Sequence, residues 1–362
     1  MNYPIIDDHG FKFPDMALLP EVEHEERFED TEESNKIVAE AENLFTKTNS
    51  SKDVFLWKLE ELIEHTKTQM PLHEGEQDII KGWRKKMGRQ FDYARNHGWN
   101  FHNKTSNNKH FKQIAEDGVT FGTSDIVQKI KDVLAPDIDA LLEKEDGISP
   151  IGAYDRANPK LEQRGQVVQD MLNEEFQKQG ILEAAYTYTG RRIDVKKVTL
   201  HVSYPTDSHI YQQYRDINLK SSSHPKTTNL HIDPTFNILK GAFYLTEVTD
   251  EQGPIWFVKG SNRWKHDRFE SMFGRANSVA NYLEDELHRR AMFRLPKRLR
   301  CNYQFGRNLL DGTPEQKIIT DKIIKLTTDK TGNFALFDPG FTMHTGGNVD
   351  KGIRINLQLQ LK

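Results

Sequence analysis

Two side chains at positions 231 and 233 have the types and spacing of a metal-binding pair. They are His231 and Asp233, in the segment TTNLHIDPTF, whose alternation predicts a strand. On such a strand Asn229 shares their face, while Leu230 and Ile232 lie on the other. An imidazole and a carboxylate at this spacing can bind one cation at adjacent coordination positions. Such pairs also arise by chance, so a purely structural histidine at position 231 is the alternative.

The C-terminal segment supplies two further candidates, His344 and Arg354. His344 follows the turn formed by residues 338–340 (Asp-Pro-Gly), and Arg354 comes ten residues later. Arg354 begins a strictly alternating strand, on which it shares one face with Asn356 and Gln358. A solvated polar face is the alternative interpretation of this strand, because antiparallel sheets often expose one side.

Taken in order, these residues resemble the motif of the iron(II)- and 2-oxoglutarate-dependent dioxygenases, and within them the phytanoyl-CoA dioxygenase-like group. That motif is His-x-Asp, a distal His, and an Arg about ten residues beyond it. The segment GPIWFVKGS also resembles the family's Gly-Pro-aliphatic-Trp strand, which leads into a Gly-Ser turn. The resemblance covers residues 195–362.

The resemblance implies a metal site and a co-substrate. His231, Asp233 and His344 would bind Fe(II), and Arg354 would bind the far carboxylate of 2-oxoglutarate, which is used together with O2. Two imidazoles and one carboxylate occupy a single face of Fe(II) and leave positions open for the co-substrate and O2. A planar guanidinium can bind a carboxylate through two hydrogen bonds.

Two positions depart from the family pattern. Gly346 stands where many members carry a Ser or Thr that helps to hold 2-oxoglutarate, so another group must complete that pocket. Asn262 stands where the family's turn usually reads Gly-Ser-His.

Five more residues are supporting candidates. Asn229 and Gln213 could contact the iron ligands or 2-oxoglutarate, and Tyr204, Trp256 and Arg263 could line the substrate pocket. For each of them, ordinary packing or a surface position is the alternative.

The expected activity is hydroxylation of an unactivated C–H bond in a small or medium organic molecule, with conversion of 2-oxoglutarate to succinate and CO2. Related halogenases carry a small residue in place of the carboxylate, so the presence of Asp233 favours hydroxylation over chlorination. Desaturation, cyclisation, epimerisation and demethylation are alternatives at the same site. A non-catalytic barrel that binds a ligand is the alternative from another class.

The segments that must position these residues change character along the chain. Up to about residue 180, apolar residues recur at three- and four-residue intervals, as in VFLWKLEELI and VVQDMLNEEF, which predicts helices. After it, short segments such as VTLHVSYP, SHIYQQYRDI and GAFYLTEV are rich in β-branched and aromatic residues, which predicts strands. The predicted class is α+β: a double-stranded β-helix (jelly roll, cupin-like) over 185–362, with a helical insert near 278–293. Residues 34–184 form a helical region packed on it, and residues 1–33 form an acidic segment that could be mobile.

Composition limits the remaining possibilities. The chain has 362 residues, 29% of them charged, with a net charge of -4 and one cysteine, Cys301, so an internal disulfide is excluded. No apolar run is long enough to cross a membrane, and the acidic start does not resemble a secretion signal, so we expect a cytoplasmic protein.

A basic run between residues 288 and 307 contains seven cations and no acid. It could attract an anionic substrate, or it could pair with acids of residues 283–286 or of the N-terminal segment. A nucleic-acid partner is disfavoured, because no recognised nucleic-acid motif accompanies the run.

Overall fold

Helices and antiparallel strands make up the computed structural model of the chain, as the predicted α+β class requires. The structure describes residues 6, 8, 10–11, 26–47, 49–96, 104–143, 159–205, 230–233, 238–264, 268–280, 286–300, 314–327, 332–347 and 349–362. The predicted strand SHIYQQYRDI and much of the acidic segment lie outside these residues.

The larger sheet has five antiparallel strands. They are β1 (Val119–Thr123), β2 (Val195–Ser203), β3 (Leu239–Tyr244), β6 (Asn333–Phe337) and β8 (Arg354–Leu361). Their order across the sheet is β1-β6-β3-β8-β2. The edge strand β1 comes from the mainly helical first half, so the larger sheet draws on both halves of the sequence.

A smaller sheet packs against one face of the larger one. It contains β4 (Trp256–Val258), β5 (Ile323–Lys325) and β7 (His344–Thr345), in the order β5-β4-β7. Between the two sheets, Tyr244 and Phe337 of the larger sheet pack in one apolar cluster with Phe257 of the smaller. The space next to this cluster is where the candidate residues meet.

Strict alternation decides which side of β8 faces the helices. Leu357, Leu359 and Leu361 are buried in the cluster that faces the helices. Arg354 and Asn356 point to the other side and line the space between the sheets. The predicted phase of this strand is therefore confirmed, and its polar face is enclosed.

The described residues form ten α-helices, and all but the last of them fall into two groups. They are α1 (Glu32–Thr46), α2 (Lys52–Gln69), α3 (Glu76–Asn96), α4 (Lys109–Asp117), α5 (Val127–Leu142), α6 (Pro159–Lys178), α7 (Ile181–Thr189), α8 (Arg268–Ala280), α9 (Glu286–Phe293) and α10 (Pro314–Thr320). Helices α4 to α7 cover the outer face of the larger sheet. Helices α1 to α3 pack instead on α8 and α9. The insert predicted near 278–293 includes α9 and only the last residues of α8. Among the described residues, no helix has both the length and the apolar character needed to span a bilayer.

Acidic residues of the helices pair with the described part of the basic run. Arg294 and Arg290 lie 3.2 Å and 3.4 Å from the carboxylate of Glu76, which is fully buried. Arg298 donates to Glu42 and Glu270. These arginines therefore join α1, α3 and α8. These acidic partners belong neither to residues 283–286 nor to the N-terminal segment 1–33, where the sequence suggested them.

We expect Glu76→Ala to lower stability strongly, because it leaves Arg294 buried without its partner. The loss should be about 3–5 kcal/mol in the free energy of unfolding, measured by urea denaturation. Glu42→Ala is the matched control: its pair with Arg298 is partly exposed, so the loss should be about 1 kcal/mol or less. Equal losses in the two variants would contradict this account of the interface.

Candidate metal centre and its cavity

A single antiparallel bridge brings His231 and His344 side by side. The backbone N–H of each donates to the carbonyl of the other, at 3.0 Å and 2.9 Å. Directly opposed residues in such a bridge project from the same side, and the two imidazole centroids lie 4.3 Å apart. The two predicted histidines therefore meet, although a single bridge stands where a longer strand was predicted.

Asp233 completes a cluster of three possible ligands. Its backbone N–H donates to the carbonyl of Pro339 at 2.7 Å, which fixes it beside the bridge. One carboxylate oxygen lies 3.5 Å from Nε2 of His231, and the other lies 4.0 Å from Nε2 of His344. The three ligand atoms lie within 4.8 Å of one another, which is compatible with one cation bound from one side.

The hydrogen bonding of His344 leaves the correct nitrogen available for a metal. Its Nδ1 lies 2.9 Å from the carbonyl of Thr342, which can only accept, so Nδ1 carries the proton. The lone pair is then on Nε2, on the side of Asp233. Burial, followed by repulsion from His231, lowers the pKa of His344 to about 3, so its ring is neutral at physiological pH.

The carboxylate of Asp233 is ionised and lies among cations and imidazoles. Burial alone would raise its pKa, but the ammonium of Lys240 and the hydrogen bond with His231 outweigh burial and hold the pKa well below its usual range. Lys240 forms an ion pair with this carboxylate. Two neutral imidazoles and one carboxylate are the ligand set that suits non-haem Fe(II).

These groups open into a cavity of about 170 Å³ between the two sheets. Arg354 lies in its wall, where the guanidinium donates to the hydroxyl of Ser203 at 3.2 Å and to the carbonyl of Gly347 at 3.1 Å. Burial lowers its pKa from the usual value without removing its charge at neutral pH. Among the described residues Arg354 has only neutral hydrogen-bond partners, so its charge fits an anionic ligand.

A second polar group of the cavity wall is His201, on β2. Its Nε2 is buried and has no hydrogen-bond partner among the described residues. Burial and the nearby Arg354 lower its pKa to about 4, so the ring is neutral. A ligand in this cavity could therefore satisfy an otherwise unpaired nitrogen.

The loop before His344 is held by side chains from several elements. The hydroxyl of Tyr188, on α7, donates to the carboxyl group of Asp338 at 2.9 Å. The hydroxyl of Ser261 accepts from the backbone N–H of Met343 at 2.9 Å. Phe257 of β4 pairs with His344 in the smaller sheet. The segment GPIWFVKGS thus positions the distal histidine through both its strand and its turn.

The structure does not bring the three tentative substrate residues into the cavity. Trp256 lies on the face of β4 opposite His344 and packs in another apolar cluster. The hydroxyl of Tyr204 donates to the carbonyl of Leu141, and Arg263 donates to the carbonyl of Glu116. The structure therefore places these three side chains away from the described part of the cavity wall. Asn229 and Gln213 lie outside the described residues.

Sequence reasoning also missed three residues that line the cavity: His201, Ser203 and Lys240. The alternation of VTLHVSYP places His201 and Ser203 on one face of β2, and this pattern could have identified both residues.

Asn262, in the turn that differs from the family's Gly-Ser-His, donates to the carbonyls of Ile114 and Ala115 near the end of α4. Its role is therefore structural.

One protein family matches the chain. The family model "Phytanoyl-CoA dioxygenase (PhyH)" matches residues 122–296, a region that includes His231 and Asp233 and ends before His344 and Arg354. No curated protein matches the chain.

Several solved structures are similar to the chain at low sequence identity. EctD from S. alaskensis, solved with 2-oxoglutarate and 5-hydroxyectoine, is 13% identical, with a TM-score of 0.41, over 72% of this chain and 79% of that one. The epimerase SnoN, solved with Fe3+, alpha ketoglutarate and nogalamycin RO, is 13% identical, with a TM-score of 0.40, over 70% and 82%. The carbocyclase SnoK from nogalamycin biosynthesis is 13% identical, with a TM-score of 0.39, over 71% and 83%.

The buried carboxyl group of Asp338 predicts a pH dependence of stability. Burial raises its pKa from 3.8 to about 6. Between these values the folded state binds more protons than the unfolded state, so the free energy of unfolding falls as pH rises through this window. The contribution lost should be on the order of 2 kcal/mol.

The comparison of wild type with Asp338→Asn isolates this contribution, because the amide does not titrate. Urea denaturation at pH 4 and pH 7 should show a difference between the two proteins that changes with pH in the stated direction. Parallel stability profiles would contradict the assignment.

Proposed function

We propose that this chain, an iron(II)- and 2-oxoglutarate-dependent oxygenase of the phytanoyl-CoA dioxygenase-like kind, hydroxylates an unactivated C–H bond of a small or medium organic molecule. One observation carries the proposal: the cluster of His231, Asp233 and His344 shares one enclosed cavity with Arg354. The ligand set suits Fe(II), and the guanidinium suits a dicarboxylate.

Each residue of the cluster has a defined task. His231 and His344 would offer imidazole nitrogens to the metal, and Asp233 would offer an ionised carboxylate that offsets half of the charge of Fe(II). When bound, iron with 2-oxoglutarate and O2 supplies the oxidising chemistry, in which 2-oxoglutarate becomes succinate and CO2. The backbone bridge and the hydrogen bond from His344 to Thr342 keep the ligands oriented.

Arg354 and Ser203 bind the far carboxylate of 2-oxoglutarate in this proposal. The Ser203 hydroxyl accepts a hydrogen bond from Arg354 and keeps its own proton for the carboxylate. It replaces the hydroxyl that Gly346 lacks. Gly346 lines the same cavity, so the missing side chain leaves space there.

The two facing sheets are the core of a double-stranded β-helix in this proposal, with the iron site in its mouth. Ala242, Ile255 and Phe337 form apolar parts of the cavity wall. These side chains exclude water, which strengthens the electrostatic interactions inside and protects the oxidising step.

Product mass separates hydroxylation from its rivals. A compound that stimulates succinate formation should gain one oxygen atom, whereas desaturation or cyclisation would remove two hydrogens. If no candidate compound increased succinate formation, although ligands bound tightly, a non-catalytic binding module would be favoured.

We expect Asp233→Ala and His344→Ala to lose iron-dependent succinate formation, because each removes one of three ligands. Retained iron, measured after gel filtration, should fall as well. Arg263→Ala alters an arginine outside the cavity and should keep wild-type turnover. Turnover of either ligand variant at the wild-type rate would disprove the ligand assignment.

We expect Arg354→Gln to raise the KM for 2-oxoglutarate about 10- to 100-fold, because a charged hydrogen-bonding group is lost from a buried site. Ser203→Ala removes one neutral hydrogen bond and should raise it about fivefold. Steady-state assays with varied 2-oxoglutarate test both. An unchanged KM in Arg354→Gln would mean that the co-substrate binds elsewhere.

A further inference from the structure

Lys240 is a cation of the cavity that the proposed function leaves without a task. It lies on β3, and its side chain is 18% exposed and reaches the carboxylate of Asp233. Among the described residues, Asp233 is its only hydrogen-bonding partner. Opposite Lys240 on the two neighbouring strands lie Phe337, which offers no acceptor, and Gln360, whose amide carries no charge.

A divalent cation at the cluster would compete with Lys240 for the same carboxylate. Asp233 carries one negative charge, and a metal ion held by it and the two imidazoles would repel a neighbouring ammonium. An ammonium in an enclosed site needs an anionic partner, because burying an unpaired charge is costly. Once the metal binds, the single charge of Asp233 is shared with the metal and no longer compensates the charge of the lysine.

The charges of the loaded site leave Lys240 uncompensated. Fe(II) brings two positive charges, whereas Asp233 and 2-oxoglutarate together bring three negative ones, and Arg354 neutralises the remainder. The imidazoles that bind a metal ion are neutral, and His201 is neutral because burial lowers its pKa to about 4. The ammonium of Lys240 is then the one surplus charge among the described groups of the cavity.

The carboxylates of 2-oxoglutarate do not compensate the charge of Lys240. In the proposed function one carboxylate of 2-oxoglutarate is at the metal, and the other is at Arg354. Arg354 and Lys240 also lie far apart along the sheet: Lys240 pairs with Gln360 of β8, six residues beyond Arg354 and about 20 Å of strand away. Among the described residues that line the cavity, Asp233 is the one acid, so we look for the anion that pairs with Lys240 in another molecule.

We infer that the primary substrate carries a carboxylate that binds Lys240 beside the metal cluster. The inference rests on the proposed function and narrows its substrate class to organic acids. Lys240 is then a substrate-binding residue, and its carboxylate partner sets which part of the substrate approaches the iron.

The test uses the full chain loaded with Zn(II), which binds nitrogen and oxygen ligands and has no redox chemistry, and saturated with 2-oxoglutarate. Hexanoate and hexanamide are the probes, with binding measured by calorimetry. Wild type should bind hexanoate at least about tenfold more tightly than hexanamide. Lys240→Met should lose this difference, and Lys240→Arg should keep it. Lys259→Met, which alters an exposed lysine, should behave as wild type.

The affinity for 2-oxoglutarate shows whether the carboxylate that binds Lys240 belongs to the primary substrate or to the co-substrate. It should change less than about twofold in Lys240→Met. A tenfold loss of 2-oxoglutarate affinity with unchanged hexanoate binding would assign the lysine to the co-substrate and overturn the inference. Equal binding of the two probes, or binding of neither, would overturn it as well. Failure of the proposed function would be visible earlier, as a Zn(II)-loaded wild type that does not bind 2-oxoglutarate.

Discussion

The backbone bridge between His231 and His344 is the constraint on which the site depends. Two hydrogen bonds join segments that lie far apart in sequence, and they set both the spacing and the direction of the imidazoles. The surrounding structure holds the two rings in place. Strand β4 does this from one side, through the pairing of Phe257 with His344 and the hydrogen bond from Met343 to Ser261.

The same constraint concentrates charge in an enclosed space. Asp233 is buried next to two imidazoles and an ammonium. The charge of the ammonium and the hydrogen bond with His231 keep the carboxylate ionised despite burial. Arg354 adds a second cation whose described partners are all neutral. The cavity therefore carries more positive than negative charge before any ligand binds, and this imbalance selects anionic ligands.

Where alternation and motif spacing agree, the sequence indicated which side chains lie together. His231, Asp233, His344 and Arg354 converge as their order indicated, and β8 has the expected phase. It failed where a strand is buried on both faces. The segment LKGAFYL is apolar almost throughout, so it gives no phase, and the inward direction of Lys240 could not be read from it.

The direction of the Trp256 side chain could not be predicted for a related reason. Strand β4 has only three residues, which are too few for alternation to show which face a side chain is on. Strand β1 was also missed, because it is short and contains Gly122, which weakens a strand pattern. Helix α7 ends at Thr189, beyond the boundary at residue 184 that was predicted for the helical region. The partners of the basic run could not be predicted either, because Glu42 and Glu76 lie more than two hundred residues away from the arginines that they contact.

The helical half carries no ligand of the cluster, yet it reaches the loop that precedes His344. Tyr188 of α7 donates to Asp338 from one side. From α8, the guanidinium of Arg275 lies over the ring of Phe341, at 4.6 Å, and close enough to Asp338 to oppose the rise of its pKa. Helix α8 in turn packs against α1 and α3. The N-terminal helices are therefore linked through α8 to a loop that leads into His344 and that also holds Asp233 through the carbonyl of Pro339.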